Sequence, residues 1–136
     1  MRVSDVLKAN RQNLATCIPE ESIVSICTRM SARNIGAFPV CDAGGTLVGI
    51  ISERDVVRAV AKDGARVADR HVRDLMTREV VTCAHDQTML EAEKLMQKHR
   101  VRHIPVMEGA KLIGMLSIRD IFMWRWQWRK ALLRIV

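Results

Sequence analysis

Apolar and polar positions along the chain fall into a pattern that is written twice. Gly49-Ile50-Ile51-Ser52-Glu53-Arg54-Asp55-Val56 returns 65 residues later as Gly114-Met115-Leu116-Ser117-Ile118-Arg119-Asp120-Ile121. Upstream, Ile35-Gly36-Ala37-Phe38-Pro39-Val40 returns as Val101-Arg102-His103-Ile104-Pro105-Val106, and Thr16-Cys17 as Thr82-Cys83, both 66 residues on. Val3-Ser4-Asp5-Val6-Leu7 returns as Val72-Arg73-Asp74-Leu75-Met76, 69 residues on. A duplication at this period is an architectural signal in its own right. The spacing shifts by one between Val40 and Gly49, where Asp42-Ala43-Gly44-Gly45 faces Glu108-Gly109-Ala110. Both segments are turn chemistry, where a deletion costs least.

Each copy predicts the same elements. A short capped turn leads to a brief strand near Cys17 or Cys83. A helix follows: Ile23, Ile26, Cys27 and Met30 recur at i, i+3, i+4 and i+7. In the second copy Thr88 and Glu91 form a capping-box signature ahead of Ala92, Leu95 and Met96. Two strands joined by a glycine-containing turn come next, Ala37–Cys41 with Leu47–Ile51 and His103–Met107 with Leu112–Leu116. A second helix starts at Ser52 or Ser117. The fold class expected is α+β, strand-helix-strand-strand-helix twice over, with helices on one face of each small sheet. The boundaries expected are 1–66, 67–127 and a helical extension over 128–136, with Lys62-Asp63-Gly64-Ala65-Arg66 as the joint. A unit of about 60 residues is marginal alone. The two copies are therefore expected to pack against each other with pseudo-twofold symmetry, making clefts lined by both.

Composition narrows the classes. Of 136 residues 49% are apolar, enough to bury a core, and no apolar run approaches the length of a membrane span. The start of the chain lacks the apolar stretch of a secretory signal, and the expectation is a cytoplasmic protein. The four cysteines, Cys17, Cys27, Cys41 and Cys83, include no Cys-x-x-Cys pair and read as small buried residues, so no metal site is expected. The net charge of +7 points to an anionic partner without choosing one.

The chemistry concentrates in Gly-x-x-Ser-x-x-Asp. Ser52 and Ser117 sit where a strand feeds a helix, with Asp55 and Asp120 three residues on. One reading is purely structural, a helix cap with an acid in the first turn. The other is a ligand site. A helix N-terminus offers free N–H groups and partial positive charge to a phosphate, a serine hydroxyl can bond its oxygen, and a carboxylate can accept from both hydroxyls of a ribose. Arg54 and Arg119 add charge for phosphate. A cap can also be a ligand group, so the readings are compatible. No nucleophile triad, phosphate loop or metal-ligand cluster accompanies the motif, and no enzyme is expected.

In both copies, over about residues 1–126, the chain resembles tandem CBS-domain proteins, the Bateman modules. The resemblance rests on the doubled motif, the apolar-Pro-Val strands, the glycine-containing turns and the openings Asp5-Val6-Leu7 and Asp74-Leu75-Met76. It implies two βαββα repeats in one module, with clefts that bind an adenosine-containing ligand: AMP, ADP, ATP, NAD(H) or S-adenosylmethionine. No cofactor is required; the nucleotide is a regulatory ligand. The family's aspartate carries over to Asp55 and Asp120 on ribose, and its Ser/Thr to Ser52 and Ser117. The base-contacting first strand carries over to Thr16, Cys17, Ile18 and to Thr82, Cys83, Ala84. The apolar-Pro step carries over to Ala37, Phe38, Pro39 and to Ile104, Pro105. The positions just before that step are Arg102-His103 in one copy and Gly36-Ala37 in the other. The resemblance therefore implies two unequal sites, the one with Arg102 and His103 favouring more phosphate. A homodimer and a separate effector protein are the implied partners.

The tail stands outside the repeat. Residues 121–136 hold all three tryptophans and four of the seven excess positive charges, Arg125, Arg129, Lys130 and Arg134, with no acid. As a helix the segment puts Ile121, Trp124, Trp128, Ala131, Leu132 and Ile135 on one stripe. The expected role is packing on its own module or on a second subunit. The alternatives are an acidic membrane surface or nucleic acid, read by arginine and tryptophan.

Overall fold

The computed structural model describes residues 1–10 and 14–135; side chains of Asn10 and Ile135, and all of Val136, lie outside the described residues. The chain divides into two compact units, Ala15–Val80 and Met1–Leu14 with Val81–Val136.

In the first unit α2 (Ile23–Arg33) follows α1 (Val3–Asn10), which belongs to the other unit. Ser22 caps α2 by accepting from the Ser25 N–H at 3.1 Å. Ile23, Ile26 and Met30 face the core, each contributing about 1.5–3 kcal/mol by leaving water. The helix stops at Asn34, which takes the left-handed conformation at φ 52° that asparagine tolerates. A hairpin of β1 (Ala37–Cys41) and β2 (Leu47–Ser52) comes next, turning through Gly45 at φ 84° and bulged at Val40/Cys41. Asp42 Oδ1 ties the turn by accepting from the Gly44 and Thr46 N–H groups. Then come α3 (Glu53–Asp63), a 3₁₀ turn (Gly64–Asp69) and the short α4 (Val72–Leu75). The core is Cys17, Ile23, Ile26, Met30, Phe38, Val40, Ile51, Val67 and Val72.

The second unit has the same plan. Strand β3 (Cys83–Ala84) runs parallel to β4 (His103–Glu108), which pairs antiparallel with β5 (Lys111–Ser117). The bulge recurs at Val106/Met107, and Gly109 takes φ 60° in the turn. Helices α5 (Met89–His99) and α6 (Ile118–Ile135) complete it. The Thr88–Glu91 capping box is formed, and Met89, Ala92 and Met96 are buried. Its core joins Val3 and Val6 of α1 to Cys83, Ile104, Val106, Leu116 and Ile121.

The α+β class and the doubled repeat hold, with three differences. The first strand of copy one shrinks to a single parallel bridge, Cys17 with Val40. The segment expected as the joint, 62–66, is folded: α3 runs through Asp63, and the 3₁₀ turn after it buries Val67 in the core. The compact units also cut the chain differently from boundaries at 66 and 127. The segment that opens each sequence copy is built into the body of the other copy. Val72 N–H donates to Glu21 O at 2.8 Å and Arg73 N–H to Pro19 O at 2.9 Å, while Ile23 N–H donates to Arg70 O at 3.0 Å. The second unit repeats this bond for bond: Val3 to Gln87 at 2.9 Å, Ser4 to His85 at 2.9 Å, and Met89 to Met1 at 3.0 Å. The physical cause is burial of Val72 in one core and of Val3 and Val6 in the other.

Candidate functional site

The two Gly-x-x-Ser-x-x-Asp motifs fold into nearly the same object. Ser52 is extended at φ −125° and ψ 164° and caps α3, accepting from the Asp55 N–H at 3.3 Å. Asp55 Oδ2 answers by accepting from the Ser52 N–H at 2.9 Å and the Ser52 hydroxyl at 3.1 Å. In the other unit Ser117 and Asp120 repeat these bonds at 3.3, 2.8 and 3.1 Å. All four residues are half-buried. The cap engages Oδ2 and leaves the second oxygen of Asp55, Oδ1, facing the Thr77 hydroxyl at a long 3.5 Å. An ionised carboxylate has room for further donors, so capping and ligand binding are compatible here.

The strand before each motif brings the other expected residues alongside. Ala37 is the cross-strand partner of Ser52, and His103 that of Ser117. Glu53 N–H donates to Gly36 O at 2.9 Å, and Ile118 N–H to Arg102 O at 2.8 Å. These bonds hold Gly36 beside one helix N-terminus and Arg102 beside the other. Arg102 is exposed and His103 half-buried, so the residues that lead into this strand are basic in one unit, while Gly36 and Ala37 in the other are uncharged.

Burial sorts the remaining expected residues. Cys17, Ala37, Phe38, Pro39, Cys83, Ile104 and Pro105 are buried in the cores, where their side chains serve packing. Backbone groups of Cys17 are also engaged, its N–H donating to Pro39 O at 3.0 Å and its O accepting from Cys41 N–H at 2.9 Å. Ile18, Arg54, Thr82, Ala84 and Arg119 are exposed, and Thr16 is half-buried. Burial pushes the Cys17 thiol up to about 12 and the Cys83 thiol up to about 11, which keeps both protonated and unreactive. All four cysteines are free, and no metal-ligating cluster occurs among the described residues.

Two contributors escaped the sequence. Thr77 reaches the motif because Ile50 and Thr77 form an antiparallel bridge with bonds of 3.0 and 2.9 Å. A β-carbon at Gly49 would stand 2.8 Å from Met76 Sδ and 3.0 Å from Thr77 O, so only glycine admits that crossing without a shift. At Gly114 the close neighbour is a side chain, Leu7, with carbons that would stand 2.7 and 2.9 Å from a β-carbon. The available signal was the recurrence of the opening segment, but not which body it covers. The second is Arg29, which donates to Glu21 Oε1 and to Thr16 O, both at 2.7 Å, and lies 4.8 Å over the Phe38 ring. It pins the strand segment expected to meet a base. The matching position in the other copy is Leu95, a second asymmetry.

A model of the CBS domain matches residues 3–62 and again 72–126. The chain belongs to the CBS-domain family. As a CBS pair it is similar to the solved CBS-domain protein ATU1752 from Agrobacterium tumefaciens, at 38% identity and TM-score 0.88 over 92% of this chain and 99% of that one. It shares its fold with CBSX2, solved in complex with AMP, at 23% identity and TM-score 0.80 over 94% and 98% of the two chains. It likewise shares its fold with the CBS domain pair of protein MJ0100, solved with 5-methylthioadenosine and S-adenosylmethionine, at 24% identity and TM-score 0.76 over 91% and 94%. The CBS pair spans 62% of the length of two curated relatives, each 33% identical to it. CBS-domain proteins are generally regulatory, and one relative, the inosine-5'-monophosphate dehydrogenase of Halobacterium salinarum, is 31% identical over only 23% of its own length.

Proposed function

We propose that this CBS pair is a non-enzymatic sensor of an adenosine-containing ligand, drawn from AMP, ADP, ATP, NAD(H) and S-adenosylmethionine. Asp55 and Asp120 accept the ribose hydroxyls, and Ser52 and Ser117 with the helix N-termini meet ribose or phosphate. The observation that carries this reading is the doubled, half-buried Ser–Asp pair at the start of α3 and α6. The solved complexes of two proteins with the same fold support it. Arg102 and His103 make the Asp120 site the one for more phosphorylated ligands, because Gly36 and Ala37 offer no charge at the Asp55 site. Ligand binding acts by differential affinity for two states of the module, since a ligand that binds both equally shifts nothing.

The readout is a separate effector protein, reached by the module as a homodimer. Equivalent positions of the two units are exposed and apolar, Val24 with Leu90 and Val57 with Phe122, as a surface used by a second copy would be. Four free cysteines suit a reducing compartment such as the cytoplasm.

Thermal-shift and calorimetric titration against the five ligands tests the reading. A ligand at a hundred times its Kd stabilises by about 2.7 kcal/mol. Asp55→Asn and Asp120→Asn are expected to remove their respective sites while the protein stays folded. No stabilisation by any ligand, or full binding by the double variant, would overturn the reading.

A further inference from the structure

The last two and a half turns of α6 carry an apolar and basic surface that neither core uses. Ile121 is buried and Trp124 half-buried, but beyond them the helix is bare: Trp126 is 55% exposed, Trp128 61% and Leu133 71%, with Leu132 also exposed. At 100° per residue Trp126 and Leu133 form one row and Trp128 and Leu132 another, and Arg129 stands between the two. Lys130 and Arg134 flank the Trp126 row on its other side, Lys130 Nζ standing 5.2 Å over the Trp126 ring. Arg125 is neutralised by a bidentate bond to Glu93, its Nε and Nη2 at 2.9 and 2.5 Å from the carboxylate oxygens. Among the described residues Arg129, Lys130 and Arg134 have no acidic partner, and the segment from Ile121 onward contains no acid.

We propose that this end of α6 docks on the surface of an anionic lipid bilayer, lying in the headgroup layer with Trp126 and Leu133 turned to the acyl chains and the cations on either side of that row. Charge complementarity selects this occupant. A second copy packed on this row would set its own Arg129, Lys130 and Arg134 against these, with no acid from Ile121 onward to pair any of them. Nucleic acid would satisfy the cations and stack on the indoles but leave Leu133 in water. A headgroup layer offers phosphates to Arg129 on one side of the row and to Lys130 and Arg134 on the other, the interface to the Trp126 indole, and the acyl boundary to Leu133. The segment from Trp126 to Ile135 is about 15 Å long, suited to lying on a bilayer. No described helix is long and apolar enough to cross one.

The chain supplies its own reporter. Its three tryptophans are Trp124, Trp126 and Trp128, so intrinsic fluorescence reads this helix alone. The test mixes the full protein with vesicles of equal parts phosphatidylcholine and phosphatidylglycerol, and with pure phosphatidylcholine. The expected result is a blue shift and protection from acrylamide quenching on the anionic vesicles, weakened by salt. Arg129→Gln and Arg134→Gln should each lower affinity about fivefold, with far-ultraviolet circular dichroism and nucleotide binding unchanged. No shift on anionic vesicles, or an equal shift on neutral ones, would overturn the proposal. So would emission that starts blue and reddens on dilution, the mark of a second copy, or a shift produced by a single-stranded oligonucleotide and not by vesicles.

Discussion

Alanine at the two motif glycines should produce unequal damage, and the difference can be worked from the contacts. Neither glycine has the positive φ that would strain alanine. Replacing glycine where φ is ordinary narrows the unfolded ensemble and stabilises by about 0.4–1 kcal/mol. Against that stands crowding. At Gly114 the three atoms nearest the new methyl all belong to the side chain of Leu7, its two terminal carbons at 2.7 and 2.9 Å. Leu7 is half-buried and can rotate, so the cost is about 1 kcal/mol and the net change is close to zero. At Gly49 the methyl meets Met76 Sδ at 2.8 Å and, less forgivingly, Thr77 O at 3.0 Å. Methionine can move aside, but that carbonyl accepts from the Ile50 N–H at 3.0 Å, so relief means pulling the bridge apart. Overpacking plus a weakened backbone bond costs about 2–3 kcal/mol, leaving a net loss of about 1–2 kcal/mol. Urea unfolding of Gly49→Ala and Gly114→Ala beside the parent protein measures both. Moving the bridge also moves Thr77 from Asp55, so Gly49→Ala should weaken nucleotide binding at that site as well. Equal losses, or a larger loss for Gly114→Ala, would refute the claim that backbone rather than side chain crosses Gly49.

Other expectations follow from single positions. Arg100 ends α5 in the left-handed conformation at φ 53°, where Asn34 serves in the other unit; Arg100→Gly should raise stability by about 1 kcal/mol in the same urea assay. Bonds from the Thr88 N–H and hydroxyl, at 3.1 and 3.0 Å, hold the Glu91 carboxyl below its ordinary 4.5. Its contribution is therefore complete above that value and is lost as pH falls through the lower folded-state value, so acid unfolding curves of Glu91→Gln should be flatter below about pH 4.5. At about pH 8 the native Cys17 and Cys83 thiols should resist a thiol-specific reagent that labels all four cysteines after unfolding; rapid native labelling of either would contradict their burial.

Local chemistry was legible without coordinates because it depends on neighbours a few residues apart. The helix at Ile23, Ile26 and Met30, the Thr88–Glu91 cap, both hairpins with their glycine turns, and the two Ser–Asp pairs all follow from spacing. The exposed end of α6 was legible as an amphipathic helix but not as a bare one. Periodicity says which side of a helix is apolar, and only the extent of the body beside it says whether that side is covered.

By itself the sequence determined that this protein is one unit written twice, with the same capped motif at the same place in each copy. What the tertiary structure decided was which body each opening segment completes. Val3 and Val72 stand in matching positions, so either core offers them the same burial, and no local pattern breaks the tie. Connection length breaks it. The six-residue 3₁₀ turn from Gly64 to Asp69 leaves α4 within reach of the body the chain has just built, and Val72 fills that core. The other core is then completed by Val3 and Val6 from the far end of the sequence. Thr77 beside Asp55 and Leu7 against Gly114 are consequences of that exchange, settled by burial between residues distant in the chain.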